Sequence, residues 1–488
     1  MPADMPTSEP AGTGGPALLL SGARLPDGRS VDVRIIGERI EAVGPAGTLS
    51  AAERVDLTGY LLLPAPVEAH AHLDQAFTGT PVPGAGAGVT GRAEPDPGSV
   101  LDASLGSAPG WERDVGRGSG ARQERLEDLQ RRITEAALTG LGYGATVQRT
   151  HIRIGGAQGL VGMTAALQAA RALHGLMDLQ VVPLPGLLTG IAGAEGRAML
   201  REALGMGAHA VGGRPDGDPD PDGHLDAVVA LAEEHGLPLD LHTDAADPRR
   251  LTRLASVLGT LSSRAVIGPC SALGLLPPEV AARCVEQLAA ARVSVVVLPQ
   301  CARCTGSTAA SGATAASGVA GSMGSAAPAG SAAGLAGVAG SMGVAGPAGS
   351  AGPVGRPLSA RMLLAAGVPV AAGSGALRDT ANPVGRVDPL EAAFLLTASG
   401  ELGETAAYGA VSVATRAAFG LPPVLLAPGC PAEVLAVRGE SLRGALSGGH
   451  SRVVVHAGRI VSRTSAVREF AETSAPAVPR QGRSGPPC

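Results

Sequence analysis

The sequence predicts an α/β protein, a (β/α)8 TIM barrel with a small discontinuous β-sandwich domain formed by both termini. Short apolar runs alternate with segments of helical periodicity through the middle of the chain, which is typical of parallel βα units. Both ends of the chain carry strand-like segments without helical segments between them. Several histidines fall where central strands end, and a parallel barrel places its functional groups at that edge.

The strand-like segments at the two ends predict the small domain. They are apolar or alternate with period two, and turn residues such as Asp27-Gly28 separate them. We expect both sets to form one composite domain, made of residues 17–63 and 420–466. The segments are Leu18–Leu20, Val31–Ile36, Ile40–Val43, Glu433–Val437 and Val453–Val461.

The barrel is assigned to residues 64–419, and its first strand reaches back to Tyr60. Helices intervene between the strands: Leu126, Leu129 and Ile133, for example, follow one face of a helix with a period of 3.6. Eight parallel βα units close a barrel of this type. The eight candidate strands are residues 60–68, 145–151, 179–184, 208–211, 237–241, 265–267, 293–298 and 368–372.

Four segments stand outside this pattern. Residues 305–355 form a low-complexity insert of Ala, Gly and Ser, which we predict to be disordered because it has too few bulky groups to offset its ordering entropy. Residues 80–120 are rich in Gly and Pro and are interpreted as a loosely ordered excursion rather than a lid. The two tails, residues 1–16 and 467–488, are predicted to be disordered as well.

Composition and charge argue against several classes of protein. The 488 residues carry a net charge of −5 with scattered basic residues, which is not typical of a nucleic-acid-binding protein. The first residues lack the basic flank and apolar core of a signal peptide, and no apolar run approaches a membrane span, so we expect a cytoplasmic location. The cysteines show no disulfide spacing, and Cys301-Ala302-Arg303-Cys304 is interpreted as unpaired thiols. The expected partner is a small molecule, with no nucleic acid and no membrane, and a homo-oligomer stays open.

The motif on which the functional interpretation depends is His70-Ala71-His72, which follows the apolar run Leu61–Leu63 and Pro64. Because a strand alternates its faces with period two, both imidazoles project to one side, where they can bind one metal ion. Such a pair is common by chance, and a single histidine at a strand end is often only hydrogen-bonded and half-buried. Together with His242 at the end of the fifth predicted strand, the pair favours a current or ancestral metal site.

Five segments carry a more specific resemblance: Val67–Asp74, Arg149–His151, Leu179–Pro185, Leu239–Asp244 and Gly373–Gly385. In this order they resemble motifs of the amidohydrolase superfamily, with cytosine deaminase and its relatives the nearest. The resemblance implies one divalent metal ion, zinc or iron, whose bound water attacks a ring carbon and expels ammonia. It also implies His70, His72 and His242 as three of the metal ligands.

The departures from the family pattern concern the groups that move protons. Ala245 stands where the family has its proton-shuttling Glu, and Cys270 stands where a His polarises the attacking hydroxide. Gly375 replaces the Asp that is the fourth metal ligand. The substrate-binding Gln is replaced by Gly186, and Ala381 occupies an aromatic position.

These replacements leave two functions open. General acid–base groups contribute on the order of 10²–10⁴ in rate, so their loss predicts little turnover unless a neighbour such as Asp244 or Asp379 substitutes. No intact catalytic residue is therefore assigned, with Asp244 the weak candidate, and Cys270 is interpreted as a small buried apolar group rather than a thiolate ligand. The chain is either a metal-dependent hydrolase of a non-peptide C–N bond in a small cyclic substrate or a pseudoenzyme that keeps the barrel to bind a metabolite or partner. A scaffold built on the insert at 305–355 is a third, weaker hypothesis.

Overall fold

A computed structural model describes residues 17–79, 119–300 and 360–467. The predictions made for residues 1–16, 305–355 and 468–488, for most of residues 80–120, and for Cys301 and Cys304 lie outside the described residues. Among the residues it describes, every helix is too short or too polar to span a bilayer.

Both ends of the chain contribute to one eight-stranded sheet. Its order is β16-β15-β14-β5-β1-β2-β3, and β4 pairs with β1. The antiparallel pairing of β5 with β14, from Tyr60↔Arg438 to Pro64↔Val434, joins the two ends. A second layer packed on this sheet, which a sandwich requires, stays a prediction. The strands are β1 Leu18–Arg24, β2 Ser30–Ile36, β3 Arg39–Pro45, β4 Glu53–Asp56, β5 Tyr60–Pro64, β14 Val434–Arg438, β15 Arg452–His456 and β16 Arg459–Thr464.

In residues 67–79, 119–300 and 360–419, the structure describes eight strands in two parallel sheets, so the predicted α/β class with parallel strands is confirmed. One sheet has the order β6-β7-β8 and the other the order β13-β12-β11-β10-β9. Ala71 and Gly375 form a parallel bridge between the sheets on one side, and on the other His209 N donates to the Val181 carbonyl at 2.9 Å. The strands are β6 Val67–Ala71, β7 Val147–Ile154, β8 Asp178–Pro185, β9 Val211–Gly213, β10 Leu239–Thr243, β11 Ala265–Pro269, β12 Ser294–Val297 and β13 Val370–Ala372.

Several strand boundaries differ from those expected, and the first strand differs most. The predicted first strand, residues 60–68, is two strands, because β5 ends at Pro64 in the terminal sheet and β6 begins at Val67 in a parallel sheet. Pro66 between them cannot donate a ladder hydrogen bond, which favours a break at this point. The predicted fourth strand, residues 208–211, is displaced to Val211–Gly213.

Helices follow most of the parallel strands, and three of them begin at an Asp-Pro pair. The carboxylates of Asp220, Asp247 and Asp388 each accept a hydrogen bond from a backbone N–H of the first turn, which fixes where the helix starts. The helices are α1 Ser119–Gly142, α2 Val161–Leu173, α3 Gly193–Gly205, α4 Pro221–His235, α5 Pro248–Leu258, α6 Pro278–Ala290, α7 Ala360–Ala365, α8 Pro389–Ala398, α9 Glu404–Ala410, α10 Val413–Phe419 and α11 Leu442–Gly448.

The core is aliphatic, as the aromatic content of 2% requires. Every residue of β6, β10 and β12 is buried, which is the behaviour of parallel strands covered on both faces. The polar residues inside these strands are therefore conspicuous, since burying a polar group is unfavourable unless it is hydrogen-bonded, paired or bound to a metal. Several of them lie at the carboxyl ends of the strands.

Candidate metal centre

The structure brings together the three histidines that the sequence predicts as metal ligands. His70 lies in β6, His72 follows directly after that strand, and His242 lies in β10. Their ligand nitrogens all lie within 4.8 Å of one another. Nε2 of His72 and Nε2 of His242 are 3.4 Å apart. Two nitrogens bound tetrahedrally to one zinc at about 2.0–2.1 Å are separated by roughly 3.3–3.4 Å, so the spacing fits a shared cation.

Backbone contacts hold the end of β6 in place. Gly375 N donates to the His70 carbonyl at 2.8 Å, and His72 N donates to the Gly375 carbonyl at 3.2 Å. Nδ1 of His72 lies 3.3 Å from the carbonyl oxygen of His151. A proton on that Nδ1 leaves Nε2 with its lone pair directed at His242, which is the tautomer that a metal ligand needs.

Burial keeps the three imidazoles neutral. It lowers the pKa of His72 to about 3, and the neighbouring His151 lowers it further. Burial, followed by the charges of the other histidines, likewise holds the pKa of His70 and of His242 well below the usual value. Neutral imidazole is the form that binds a metal, so three such ligands can hold a divalent cation.

A fourth imidazole, His151 of β7, lies against the other three. Its ring centroid is 4.1 Å from that of His70 and 4.5 Å from that of His242. Nε2 of His151 lies 3.1 Å from Oδ1 of Asp240, whose Oδ2 accepts a hydrogen bond from Arg149 Nη1 at 2.8 Å. All of these side chains are buried.

Sequence reasoning placed His151 at a strand end but gave neither it nor Asp240 a role. The signal that could have indicated both residues is the alternation of side chains along a strand, with a period of two residues. Arg149 and His151 share one face of β7, and Asp240 and His242 share one face of β10. A polar residue two positions before a predicted ligand is thus itself a candidate for the same pocket.

Three of the positions that differ from the family pattern carry no ionised proton-transfer group. Ala245 is buried, with a φ of +57° that bends the chain after β10. Cys270 is buried, and burial, with the nearby carboxylates of Asp244 and Asp216, raises the pKa of its thiol above its usual range. The thiol is therefore protonated, which agrees with its interpretation as a small buried apolar group. Gly375 has a φ of +79°, and its backbone rather than a side chain reaches the pocket.

The two carboxylates considered as substitutes are engaged in loop structure. Asp244 is half-buried, its Oδ1 accepts from Ser271 Oγ at 2.6 Å, and burial raises its pKa. Asp379 Oδ1 accepts from the backbone N–H groups of Ala381 and Asn382, which closes a turn. Neither belongs to a metal-capable group of the part of the chain that the structure describes.

Glu68 is a buried carboxylate that sequence reasoning missed. Its Oε1 accepts from the backbone N–H of His70 at 3.1 Å and of Ser374 at 2.8 Å, and burial raises its pKa to about 7. A Cβ at Gly373 would lie 2.8 Å from the same Oε1, so a glycine is needed there. Glu68 thereby joins the strand that carries His70 to the segment that carries Gly375.

Arg214 lies at the rim of the pocket. It follows Gly213, which pairs with Leu241, so the register places Arg214 beside His242. Its backbone N–H donates to His224 Nε2 at 3.0 Å. Burial is the main cause of the low pKa of His242, and the guanidinium charge of Arg214 adds to it. The half-buried guanidinium of Arg214 has no hydrogen bond or ion pair within residues 17–79, 119–300 and 360–467.

Comparison with curated proteins gives two relatives, while no protein-family model matches the chain. The chain is 25% identical over 279 residues to a pterin deaminase from Rhizobium rhizogenes, covering 55% of this chain and 58% of the relative. It is 27% identical over 233 residues to the N-isopropylammelide isopropyl amidohydrolase of Pseudomonas sp. (strain ADP), covering 46% and 52%. The chain thus spans about half the length of the curated relatives it matches.

Solved structures with the same fold extend the likeness over most of the chain. An N-isopropylammelide isopropylaminohydrolase from Burkholderia multivorans superposes with a TM-score of 0.67 at 23% identity, covering 92% of this chain and 99% of that one. The 5-methylcytosine deaminase of Klebsiella pneumoniae gives a TM-score of 0.68 at 19% identity, covering 95% and 100%. The curated relatives support the resemblance to deaminase-like proteins of the amidohydrolase superfamily, and the solved structures share the fold. The resemblance identified from the sequence motifs is thereby confirmed, and the histidine cluster fits a divalent cation.

Proposed function

We propose that the chain is a metal-dependent hydrolase that cleaves an exocyclic C–N bond of a small nitrogen heterocycle. The observation that carries this proposal is the convergence of His70, His72 and His242, with a separation of 3.4 Å between two of their ligand nitrogens. The names of the curated relatives describe a deamination of a pterin and an amidohydrolysis of isopropylammelide. Both names denote hydrolysis of a C–N bond, which supports the reaction class.

In the proposed mechanism His70, His72 and His242 hold the cation, which we propose to be zinc or iron. When bound, such a cation supplies Lewis acidity and lowers the pKa of water. The imidazoles stay unprotonated because of their low pKa values, so protons compete only weakly with the cation for their nitrogens. Arg214 at the rim orients the substrate through a ring oxygen or an anionic ring atom, since its planar guanidinium makes no hydrogen bond or ion pair in the described part of the chain.

Proton transfer to the leaving amine is the weak step of this mechanism. Position 245 offers only a methyl group, and Asp244 is held by Ser271. A missing general acid–base group costs about 10²–10⁴ in rate, so we expect slow turnover. The rival proposal follows from the same residues: Ala245, Cys270 and Gly375 favour a pseudoenzyme that binds a cation and a metabolite without converting it.

The proposal includes a closed (β/α)8 barrel. Its support is the parallel bridge between Ala71 and Gly375 on one side and the hydrogen bond between His209 and Val181 on the other. A small cyclic ligand, rather than nucleic acid or a membrane, and a cytoplasmic location remain parts of the proposal.

The experiment combines metal analysis with an ammonia assay. Purified protein is analysed for zinc and iron and then assayed with cytosine, isocytosine, a pterin and an ammelide, with His242→Gln as the matched control. The proposal expects near-stoichiometric metal and slow release of ammonia or amine from the wild-type protein, and it expects the release to be lost in the variant. Metal-loaded protein that releases nothing, but whose melting temperature rises with one of these rings, favours the pseudoenzyme. Protein that takes up no metal contradicts both.

A further inference from the structure

We propose that the pocket contains a second cation position, formed by His70, His151 and Asp240. One ligand atom from each of these residues lies within 4.8 Å of the other two. The expected group consists of His70, His72 and His242, which the sequence predicts as ligands. The second group shares only His70 with it. It supplies two nitrogens and one carboxylate oxygen, a set that suits zinc and other divalent first-row metals.

The state of His151 is the second observation that points to a ligand. The side chain is fully buried, with 0% exposure. Nε2 of its ring, which lies 3.1 Å from Oδ1 of Asp240, is buried and makes no hydrogen bond within the described parts of the chain. A buried nitrogen without a partner is unfavourable by about 1–3 kcal/mol, and a bound cation removes that penalty.

Asp240 is held so that one oxygen remains available to a cation. Its Oδ2 accepts from Arg149 Nη1 at 2.8 Å, while Oδ1 faces His151. Arg149 is itself fixed, because Nε and Nη2 donate to Gln180 Oε1 at 3.0 and 2.8 Å and its guanidinium lies 3.3 Å from the ring centroid of Phe419. A ligating carboxylate that is hydrogen-bonded through its other oxygen is the usual arrangement around protein-bound metals.

The two groups differ in charge, because only the second contains a carboxylate. The expected group consists of three neutral imidazoles, and Gly375 brings no negative charge to it. Asp240 adds an anionic oxygen to a group that shares the ligand His70. The second position therefore contains the anionic ligand that the first position lacks.

The test is a titration of the metal-free protein with cobalt(II) chloride, followed by absorbance in the visible range and by equilibrium dialysis. Three variants are compared: His242→Gln, which disrupts only the expected group, His151→Gln, which disrupts only the second group, and the double variant. We expect His242→Gln to retain one equivalent of bound cobalt, and the double variant to bind it at least ~10-fold more weakly. Folded His242→Gln protein that binds no cobalt, or a double variant that binds as tightly as His242→Gln, overturns the proposal.

Circular dichroism and the melting temperature establish that each variant is folded. If His151→Gln does not fold, Asp240→Asn replaces it, because this change keeps the side-chain shape and removes the anionic ligand. The readout does not depend on turnover. Absence of ammonia release from the wild-type protein contradicts the proposed reaction and leaves this inference standing. Loss of cobalt from folded His242→Gln protein contradicts this inference and leaves the proposed reaction standing.

Discussion

The neutral state of the buried imidazoles predicts that the metal-free protein loses stability in mild acid. In the unfolded chain His72 takes up a proton near its ordinary pKa of 6.5, while burial lowers the pKa in the folded protein to about 3. Below pH 6.5 the unfolded state therefore binds more protons than the folded state, so the free energy of unfolding decreases as the pH falls. The decrease continues until the pH reaches the folded pKa.

The size of the effect follows from the width of this window. Each pH unit between the two pKa values is worth about 1.4 kcal/mol for one group, so His72 alone costs roughly 2 kcal/mol at pH 5 and about 5 kcal/mol at pH 3. His70 and His242 act in the same direction, because burial also lowers their pKa. Net stabilities of folded domains are about 5–15 kcal/mol, so the loss is large enough to measure.

The assay is urea unfolding of chelator-treated protein at pH 7 and pH 5, with His72→Gln as the matched variant. Carboxylates contribute equally to both proteins, so the difference between them isolates His72. We expect the wild-type protein to lose about 2 kcal/mol more than the variant over this interval, and added zinc to reduce the loss because it occupies the nitrogens. Equal losses in the two proteins would refute the neutral, buried state of His72.

Three further changes test other parts of the pocket. Gly375→Asp should raise zinc affinity in equilibrium dialysis. Gly375→Ala is the control, because it carries the same left-handed backbone cost of about 1–2 kcal/mol but adds no ligand, and it should not raise the affinity. Equal affinities of the two variants would show that position 375 does not face the cation. Asp240→Asn leaves the buried guanidinium of Arg149 without its anionic partner, so urea unfolding should show a free energy of unfolding lower by about 3–5 kcal/mol. Adding Arg149→Met to this variant should recover part of that free energy. Arg214→Met should raise the KM of any ring substrate about 10-fold with kcat and metal content nearly unchanged. Arg214→Lys should raise KM less, because it keeps the positive charge. A fall in kcat alone would contradict a binding role.

Local signals explain why the strands and the histidine ligands could be predicted from the sequence. Several parallel strands are short apolar runs, and each of these histidines falls at or near the carboxyl end of its strand, so strand position and pocket position coincide. The exception was the first strand. Its apolar run continues from Leu61 to Val67, and only the pairing of Pro64 with Val434 shows that the first half belongs to the terminal sheet.

The period of two marks Asp240 as a candidate for the pocket, but its pairing with Arg149 was beyond local reasoning because the contact is long-range. Arg149 and Asp240 are 91 positions apart, and no periodicity indicates that β7 and β10 face each other across the pocket. Glu68 was missed for a similar reason, since its partner Ser374 lies 306 positions away. The family motifs contained all four of these residues, but a motif gives the order of residues along the chain and not the pairs that they form.

The buried nitrogens argue that a cation, rather than packing alone, explains this pocket. Nε2 of His151, which faces Asp240, is buried without a hydrogen bond among the residues that the structure describes. A buried nitrogen of this kind is unfavourable by about 1–3 kcal/mol, and an aliphatic side chain would remove that cost. A chain that fills the rest of its core with Ala, Val and Leu but retains four imidazoles here has a cluster that a bound cation would stabilise. Enzyme and pseudoenzyme share that requirement, so metal content tests the pocket, and turnover tests whether a neighbour compensates for the methyl group of Ala245.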